Sequence, residues 1–212
     1  MNKTNIIQFP HMENSHIVYY ENFFPEDISD QYFLKLKNEI DWKQESMLMY
    51  GKSIDFPRLT AWYGEEGKSY KFSGITLQPE DWTKMPTIFD IKKEIEFESL
   101  GTKFNSVLLN YYRNGRDSIS WHSDKEKELG KNPVISSVTL GCEREFKMRR
   151  FDDNSDVHSI MLKHGSLLVM SGETQHFWQH SIPKQSLKKD LMLDLFSSEI
   201  SSGEERINLT FR

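Results

Sequence analysis

The spacing of hydrophobic residues changes near the middle of the chain, from a helical repeat to the alternation that is typical of strands. Apolar side chains recur every four residues over residues 26–40, directly after Pro25, and this pattern predicts a helix. A second helix is predicted over residues 87–99, with Gly101 at the point where it should end. The strands predicted after that point cover residues 104–112, 118–124, 133–140, 144–149, 157–162, 166–170 and 206–212.

Helices followed by a run of short strands predict an α+β fold with a β-sandwich or barrel core. A length of 212 residues suits one domain with a substantial core. We therefore expect an N-terminal arm, or a first edge strand, over residues 1–20 and a single domain over residues 21–212. The serine-rich residues 184–205 are expected to form a surface insertion within that domain.

The overall composition is that of a globular protein, with 37% hydrophobic and 28% charged residues. No apolar run approaches the length of a membrane span, and the first residues lack the apolar core of a signal peptide, so no membrane association is expected. The single cysteine, Cys142, fits a reducing intracellular setting, cytoplasmic or, in a eukaryote, nuclear. We expect Cys142 to be a small buried hydrophobe, because no neighbouring residue activates it.

The net charge of -5 limits how the chain can hold a nucleic acid. A protein that binds duplex DNA by neutralising phosphates is usually basic, so any such contact must use a local patch or an extruded base. Two acidic residues interrupt the available patch, and a solvated strand face of mixed sign explains these charges equally well. The basic residues of the patch are Arg144, Lys147, Arg149 and Arg150.

A His-x-Asp triplet provides the first candidate chemistry. On a strand, His122 and Asp124 would leave by the same face and reach one ion. Two imidazoles and one carboxylate are the ligand set that binds a non-haem Fe(II) on one face and leaves positions open for other ligands. The residues alone leave the second imidazole open, because four later histidines compete for this position: His158, His164, His176 and His180.

The C-terminal strand carries an arginine at each end of one polar face. Residues Arg206, Asn208, Thr210 and Arg212 alternate with apolar residues. A half-buried strand explains this alternation, but two arginines that face a barrel interior would need anionic partners, such as the two carboxylates of one ligand. Asn110 and Tyr112 show the same two-residue spacing and are candidates for the same site, although core packing explains Tyr112 equally well.

With these residues in view, the chain resembles the AlkB-type Fe(II)- and 2-oxoglutarate-dependent dioxygenases, in their nucleic-acid alkylation-repair branch. The resemblance covers most of the chain, from about residue 50 to the C-terminus, and the combination of His-x-Asp with Arg-x-Asn-x-Thr-x-Arg is its most specific part. The matching segments are PRLTAWYG (57–64), SYKFSGITL (69–77), FNSVLLNYYRNGRDSISWHSDKE (104–126), PVISSVTLG (133–141), HGSLLVMSG (164–172), WQH (178–180) and RINLTFR (206–212).

This resemblance implies a double-stranded β-helix, or jelly roll, with flanking helices and an N-terminal substrate lid. It implies that His122, Asp124 and His180 bind Fe(II) and are the catalytic centre. It places 2-oxoglutarate between Arg206 at its distal carboxylate and Arg212 at the end near the metal, with O2 as the second cosubstrate. The other residues implied to line the 2-oxoglutarate site are Asn110, Tyr112, Asn208 and Thr210.

The resemblance also implies a substrate and a way to hold it. The implied reaction is oxidative demethylation of 1-methyladenine or 3-methylcytosine in DNA, or also in RNA, with release of formaldehyde. An enzyme that acts on a base must first take it out of the stack. The implied residues are Phe72, which stacks on the base, Tyr70 and Glu126, which bond it, and the finger Tyr50, Gly51 and Lys52.

Three other functions compete with this one. A dioxygenase of the same chemistry that acts on a protein or lipid would give Phe72 and Tyr50 no role. A catalytically silent nucleic-acid-binding module would have lost a metal ligand. A structural zinc protein would normally supply a fourth ligand or more cysteines. We expect the chain to act as a monomer; the interval between His180 and Arg206 is longer than is usual in the family.

Overall fold

Two β-sheets, of eight and four strands, form the framework of the protein. The structure is a computed structural model that describes residues 6–49, 51–67, 70–72, 75–185 and 204–212. The strands are β1 (Ile6–Gln8), β2 (His16–Tyr20), β3 (Ser46–Met49), β4 (Lys52–Asp55), β5 (Leu59–Gly64), β6 (Tyr70–Phe72), β7 (Ile75–Leu77), β8 (Glu80–Asp81), β9 (Ser106–Tyr112), β10 (Ile119–His122), β11 (Ile135–Gly141), β12 (Arg144–Arg150), β13 (Val157–Leu162), β14 (Ser166–Ser171), β15 (Trp178–Ile182) and β16 (Arg206–Phe211). The helices are α1 (Glu26–Glu39), α2 (Pro86–Glu98) and the short α3 (Thr174–Phe177), with 3-10 turns at Trp82–Lys84 and Lys127–Leu129.

The large sheet has the strand order β1-β2-β14-β11-β16-β9-β5-β8, and the small sheet has the order β10-β15-β12-β13. All pairs within these sheets are antiparallel except that of β5 with β8. The hairpins β3–β4 and β6–β7 lie outside both sheets, and both precede the strand that carries His122. This arrangement is the predicted jelly roll with flanking helices.

The alternation of β16 divides the core into two layers. Ile207, Leu209 and Phe211 pack in one cluster with apolar residues of α1 and α2. The polar residues between them face the other side, where a second cluster built around Phe146 and Trp178 joins the two sheets. The apolar side of one strand therefore secures the helices, while its polar side is available for a site between the sheets.

Both predicted helices are confirmed, with α1 and α2 each within one residue of the predicted bounds. Helix α2 begins with a proline at its first turn, and Leu100 and Gly101 end it with φ angles of 59° and 70°. Among the described residues, no helix combines the length and the apolar character that a membrane span requires. Residues 16–20, which were assigned to the arm, form an inner strand of the large sheet, with β1 at the edge beside them.

Three expectations need correction. Strand β10 ends at His122, so Asp124 lies in the following loop rather than on the strand. Strand β15, which carries His180, was not predicted at all. Arg144 cannot belong to a surface patch because none of its side chain is exposed. Most of the predicted 184–205 insertion lies outside the described residues.

Candidate metal and cosubstrate site

Two histidines and an aspartate from different parts of the chain meet between the sheets. One possible ligand atom each from His122, Asp124 and His180 lies within 4.8 Å of the other two. His122 and His180 are paired in register on β10 and β15, and their ring centroids are 4.2 Å apart. His122 and Asp124, two residues apart, therefore reach the same point because β10 ends at His122 and the loop that follows carries Asp124. They do not share one face of a continuous strand, as was predicted.

The histidine ring nitrogens are arranged to accept a metal. The Nδ1 of His122 lies 2.8 Å from the Ser120 carbonyl oxygen, which can only accept, so Nδ1 carries the proton and Nε2 is left as the ligand atom. Burial lowers the pKa of His122. Burial, and then the proximity of His122, lowers the pKa of His180 to about 3. Both imidazoles are therefore neutral near pH 7, as metal ligands must be.

Packing fixes the second imidazole. The ring of Phe146 stacks on that of His180 with centroids 5.2 Å apart, and Nε2 of His180 lies 3.8 Å from Asp124 Oδ2. His180 is only 5% exposed. The competing histidines are elsewhere: His164 contacts Asp30, His158 contacts Asp156, and His176 is exposed.

Asp124 is a buried carboxylate with a strong cationic partner. Its Oδ1 accepts from Arg212 Nη2 at 2.6 Å. Burial alone would raise the pKa of Asp124, but nearby positive charge, that of Arg212 first, lowers it. The backbone N–H of Asp124 donates to Oε1 of buried Gln175 at 2.9 Å. The carboxylate is thus held in its charged form at a fixed position.

A pocket with an empty volume of about 530 Å³, including the part open to solvent, extends from this cluster along the inner face of the large sheet. It is lined by the three candidate ligands and by all six residues predicted to hold 2-oxoglutarate. Those six are Asn110, Tyr112, Arg206, Asn208, Thr210 and Arg212. The structure therefore brings together every predicted residue of the metal and cosubstrate sites.

Arg206 is a buried cation that has no anionic partner among the residues that the structure describes. Its Nη2 donates to Thr139 Oγ1 at 2.9 Å, but Nε and Nη1 have no hydrogen-bond partner in the described part of the chain. The guanidinium lies 5.0 Å from the centroid of the Tyr112 ring. Burial lowers the pKa of Arg206 to about 10, which still leaves the side chain charged near pH 7. A buried charge without a partner is costly, so the geometry favours an anionic ligand here.

The remaining polar residues of the pocket have different contacts. Oδ1 of Asn110 accepts from Arg58 Nε at 2.7 Å, which leaves its amide nitrogen as the donor for a ligand. The Asn208 amide donates to Ser137 Oγ and to the Val138 carbonyl, and Thr210 donates to Asn208. Asn208 and Thr210 therefore contribute to the wall of the pocket, while their own donors are already used.

Sequence reasoning missed the residues that support this site. Arg58, Ser137 and Gln175 each bond a residue of the pocket or the candidate metal cluster. Arg58 and Ser137 lie in segments that carry the family resemblance, but the sequence assigned them no role, and Gln175 lies outside those segments. Arg144 had a usable signal, because it shares a strand face with apolar Phe146 and Met148.

The predicted substrate residues are placed less fully. Gly51 has a φ of +77° and directly precedes Lys52, which begins β4 of the β3–β4 hairpin; Tyr50 lies outside the described residues. Tyr70 and Phe72 occupy β6 of the β6–β7 hairpin. Glu126 is half-buried and directly precedes the turn Lys127–Leu129. Their contacts with a substrate stay a prediction.

Fold and site together define a jelly-roll protein with a candidate metal centre, and comparison with known proteins agrees. The 2OG-Fe(II) oxygenase superfamily matches residues 16–212. The alpha-ketoglutarate-dependent dioxygenase alkB homolog 3 of Bos taurus is 42% identical over 87% of this chain and 61% of its own length; that of Homo sapiens is 39% identical over 93% and 66%. The DNA oxidative demethylase ALKBH2 of Mus musculus is 33% identical over 91% of this chain and 78% of its own. The structure of OsALKBH1 matches with a TM-score of 0.62 at 15% identity, covering 98% of this chain and 99% of that one.

The chain therefore belongs to the 2OG-Fe(II) oxygenase superfamily, and within it to the AlkB-type dioxygenases. It spans 61% to 66% of the length of the alkB homolog 3 proteins that it matches. The structural likeness to OsALKBH1 bears on the fold alone.

The residues present fit the groups that this family uses, which are Fe(II), 2-oxoglutarate and O2. Two neutral imidazoles and one charged carboxylate are the ligand types that suit Fe(II), and their ligand atoms lie within 4.8 Å of one another. The unsatisfied nitrogens of Arg206 suit a carboxylate. Within the described residues, His122, Asp124 and His180 are the only group of possible metal ligands found, and no cysteine belongs to it, which argues against a structural zinc site.

Proposed function

We propose that this protein is an Fe(II)- and 2-oxoglutarate-dependent dioxygenase that removes N-methyl groups from nucleobases. One observation carries the proposal. A charged carboxylate and two neutral imidazoles lie in one pocket with Arg206, a buried arginine whose Nε and Nη1 have no hydrogen-bond partner in the described part of the chain. The names of the similar proteins, which include DNA oxidative demethylases, support nucleic acid as the substrate.

In this proposal His122, Asp124 and His180 hold the metal, and Arg206 binds the distal carboxylate of 2-oxoglutarate. Arg212 and Asn110 bind the end near the metal. When bound, Fe(II) and 2-oxoglutarate supply the oxidation: O2 converts 2-oxoglutarate to succinate and CO2, and the N-methyl group is oxidised and leaves as formaldehyde. The chain itself orients both acids and excludes water from the reacting atoms.

The substrate is proposed to be a base such as 1-methyladenine or 3-methylcytosine that is flipped out of DNA or RNA. Phe72 stacks on the base, Tyr70 and Glu126 bond its edge, and Tyr50 with Gly51 and Lys52 takes its place in the strand. Two features support this: β3–β4 and β6–β7 are hairpins outside the jelly-roll sheets, and a base must leave its stack to reach a buried metal. A single domain that includes β2 (His16–Tyr20), a monomeric state and an intracellular location belong to the same proposal.

The direct test is mass spectrometry of methylated single-stranded DNA, duplex DNA and RNA after incubation with Fe(II), 2-oxoglutarate and ascorbate. We expect the loss of one methyl group and the release of formaldehyde from at least one of the three. Asp124→Ala should abolish this reaction, since it removes the charged ligand. Unchanged oligonucleotides with the unaltered protein would contradict the proposal.

A second variant separates nucleic acid from other substrates. Phe72→Ala should lower demethylation by about tenfold or more, because stacking on a base is worth roughly 1–3 kcal/mol. It should leave decarboxylation of 2-oxoglutarate without substrate unchanged. Phe97→Ala is the matched control, because this phenylalanine is 84% exposed on α2. Full demethylation by Phe72→Ala would favour a substrate that is not a flipped base.

A further inference from the structure

Arg144 is a fully buried arginine that the proposed chemistry does not use. It begins β12, and the alternation of that strand places it on the inner side with Phe146 and Met148. Its exposed fraction is 0%, whereas Lys147 and Arg149 on the other side of β12 are partly exposed. A charged side chain at such a position needs an explanation, because burial of a charge opposes folding.

The hydrogen bonds of Arg144 go to neutral main-chain carbonyls of two other segments. Nη2 donates to Pro183 O at 2.6 Å, just beyond β15, and to Asp117 O at 2.9 Å. Nη1 lies 3.4 Å from Asn114 O. The guanidinium therefore ties the end of the strand that carries His180 to the turn that follows Tyr112.

The positive charge of Arg144 is not balanced by any carboxylate within 4 Å, as far as the described residues go. Asp117 acts on it electrostatically, but both oxygens of Asp117 are bound by Arg113, at 2.7 and 3.0 Å. The guanidinium of Arg144 lies 5.5 Å from the centroid of the Tyr112 ring, over which Arg206 also lies. Burial has the largest effect on the pKa of Arg206 and lowers it, and Tyr112, the second influence, raises it. Arg144 comes third, and its positive charge lowers the pKa of Arg206.

Two buried guanidinium groups at one aromatic ring, with no carboxylate in ion-pair contact with either among the described residues, indicate that this end of the pocket is suited to an anionic group. Arg144 is not among the residues that line the pocket, so it acts across Tyr112 and not by contact. The charge of Arg144 can act on a ligand at Arg206 without contact, because the effective dielectric constant inside a protein is low.

We propose that Arg144 is a positioning residue that makes the distal end of the pocket selective for a doubly charged 2-oxo acid over a singly charged one. It does so by holding the turn that follows Tyr112 against the segment that follows β15, and by adding its charge to that of Arg206. This inference rests on the proposed function, in which the pocket binds 2-oxoglutarate. It assigns to Arg144 a role in choosing the cosubstrate, and none in the contact with it.

The test compares 2-oxoglutarate with 2-oxobutanoate, which has the same 2-oxo acid end and no distal carboxylate. Dissociation constants are measured by isothermal titration of the anaerobic, Fe(II)-loaded full chain, without turnover. In Arg144→Met, we expect the dissociation constant of 2-oxoglutarate to rise about tenfold, while that of 2-oxobutanoate changes less than about twofold. The ratio of the two dissociation constants, which measures the preference for 2-oxoglutarate over 2-oxobutanoate, should therefore fall by at least about fivefold. If Arg144 were merely structural, both acids would lose affinity equally, and that result would overturn the proposal.

Three further variants keep the result interpretable. Arg144→Gln removes the charge but keeps a donor for the carbonyls, so it must show the same fall in preference, and it replaces Arg144→Met if that variant fails to fold. Arg144→Lys keeps the charge and should retain most of the preference; its complete loss there would contradict a role for the charge. Lys147→Met makes the same kind of change on the outer side of β12 and should alter neither constant. Failure of the unaltered protein to bind 2-oxoglutarate would instead contradict the proposed function.

Discussion

Gln175 is the residue that connects the two segments of the candidate metal site. It is 2% exposed, it lies in α3 just before β15, and its Oε1 accepts the backbone N–H of Asp124. We predict that Gln175→Ala weakens binding of Mn(II) or Fe(II) by roughly tenfold to a hundredfold, as is usual when a group that orients a ligand is removed. Calorimetric titration of the metal-free protein with Mn(II) or Fe(II) measures the dissociation constant directly.

The matched control is Gln179→Ala. Gln179 lies four residues further on, in β15, and bonds Arg149 and not a candidate ligand. Its removal should leave metal affinity unchanged. If both variants bind metal like the unaltered protein, the link between Gln175 and Asp124 does not matter for the site.

At the scale of single residues, the sequence allowed a partial prediction of the site. The faces of Asn110, Tyr112 and the terminal strand followed from their two-residue spacing, and all of these residues line the pocket. The choice of His180 did not follow from spacing, because it depends on pairing with β10 and on contact with the Phe146 ring. Contacts between distant segments leave no local signal, which is also why Gln175 and Arg58 were missed.

At the scale of elements, Glu96 fastens α2 to the start of the strand region. It accepts from Lys92 at 2.6 Å, from Lys103 at 2.7 Å and from the backbone N–H of Phe104 at 3.2 Å, although it is only 6% exposed. Burial alone would raise the pKa of Glu96, but the two ammonium groups outweigh burial and lower it. We predict that Glu96→Gln lowers the free energy of unfolding by about 1–2 kcal/mol at pH 7.

The pH dependence of that loss has a definite sign. A carboxyl group whose pKa is lowered on folding stabilises the protein above its unfolded pKa of about 4.3, and this contribution disappears as the pH falls toward the folded pKa. The difference between the unaltered protein and Glu96→Gln should therefore be full at pH 7 and shrink below about pH 4.5. Urea unfolding over this range measures it, with the exposed Glu94→Gln on the same helix as the control. A difference that stays constant with pH would show that the ion pairs are not its cause.

The elements that could be predicted are those whose own residues have a clear period. Helices α1 and α2 and strands β9, β11, β12, β13, β14 and β16 fall in this class. Strand β15 was missed because a helical turn, α3, directly precedes it and its five residues are too few to show a period. The inner position of β2 was missed because it depends on pairing with β14, far along the chain.

At the scale of the whole molecule, the interior contains two buried arginines that a bound anion would stabilise. Arg206 has unsatisfied nitrogens, and Arg144 has no carboxylate within ion-pair distance in the described part of the chain. We predict that Mn(II) together with 2-oxoglutarate, each at about a hundred times its dissociation constant, raises the melting temperature by roughly 10–20 °C, about half of it from each ligand. Such saturation is worth about 2.7 kcal/mol for one ligand, and each kcal/mol shifts a chain of this length by about 2–4 °C. Differential scanning calorimetry with each ligand alone and with both provides the measurement.

Arg206→Met separates the two contributions and makes a stronger prediction. The rise caused by Mn(II) should persist, because the three candidate ligands are untouched, and most of the additional rise caused by 2-oxoglutarate should disappear. Without any ligand, the free energy of unfolding of this variant should lie within about 1 kcal/mol of that of the unaltered protein, or above it. This is unusual, because truncation of a buried side chain normally destabilises a protein. The reason is that methionine replaces a desolvated cation whose hydrogen bond to Thr139 offsets little of the cost of burial. A strongly destabilised ligand-free Arg206→Met would mean that the arginine is already satisfied within the fold, and the pocket would then have no need of a dicarboxylate.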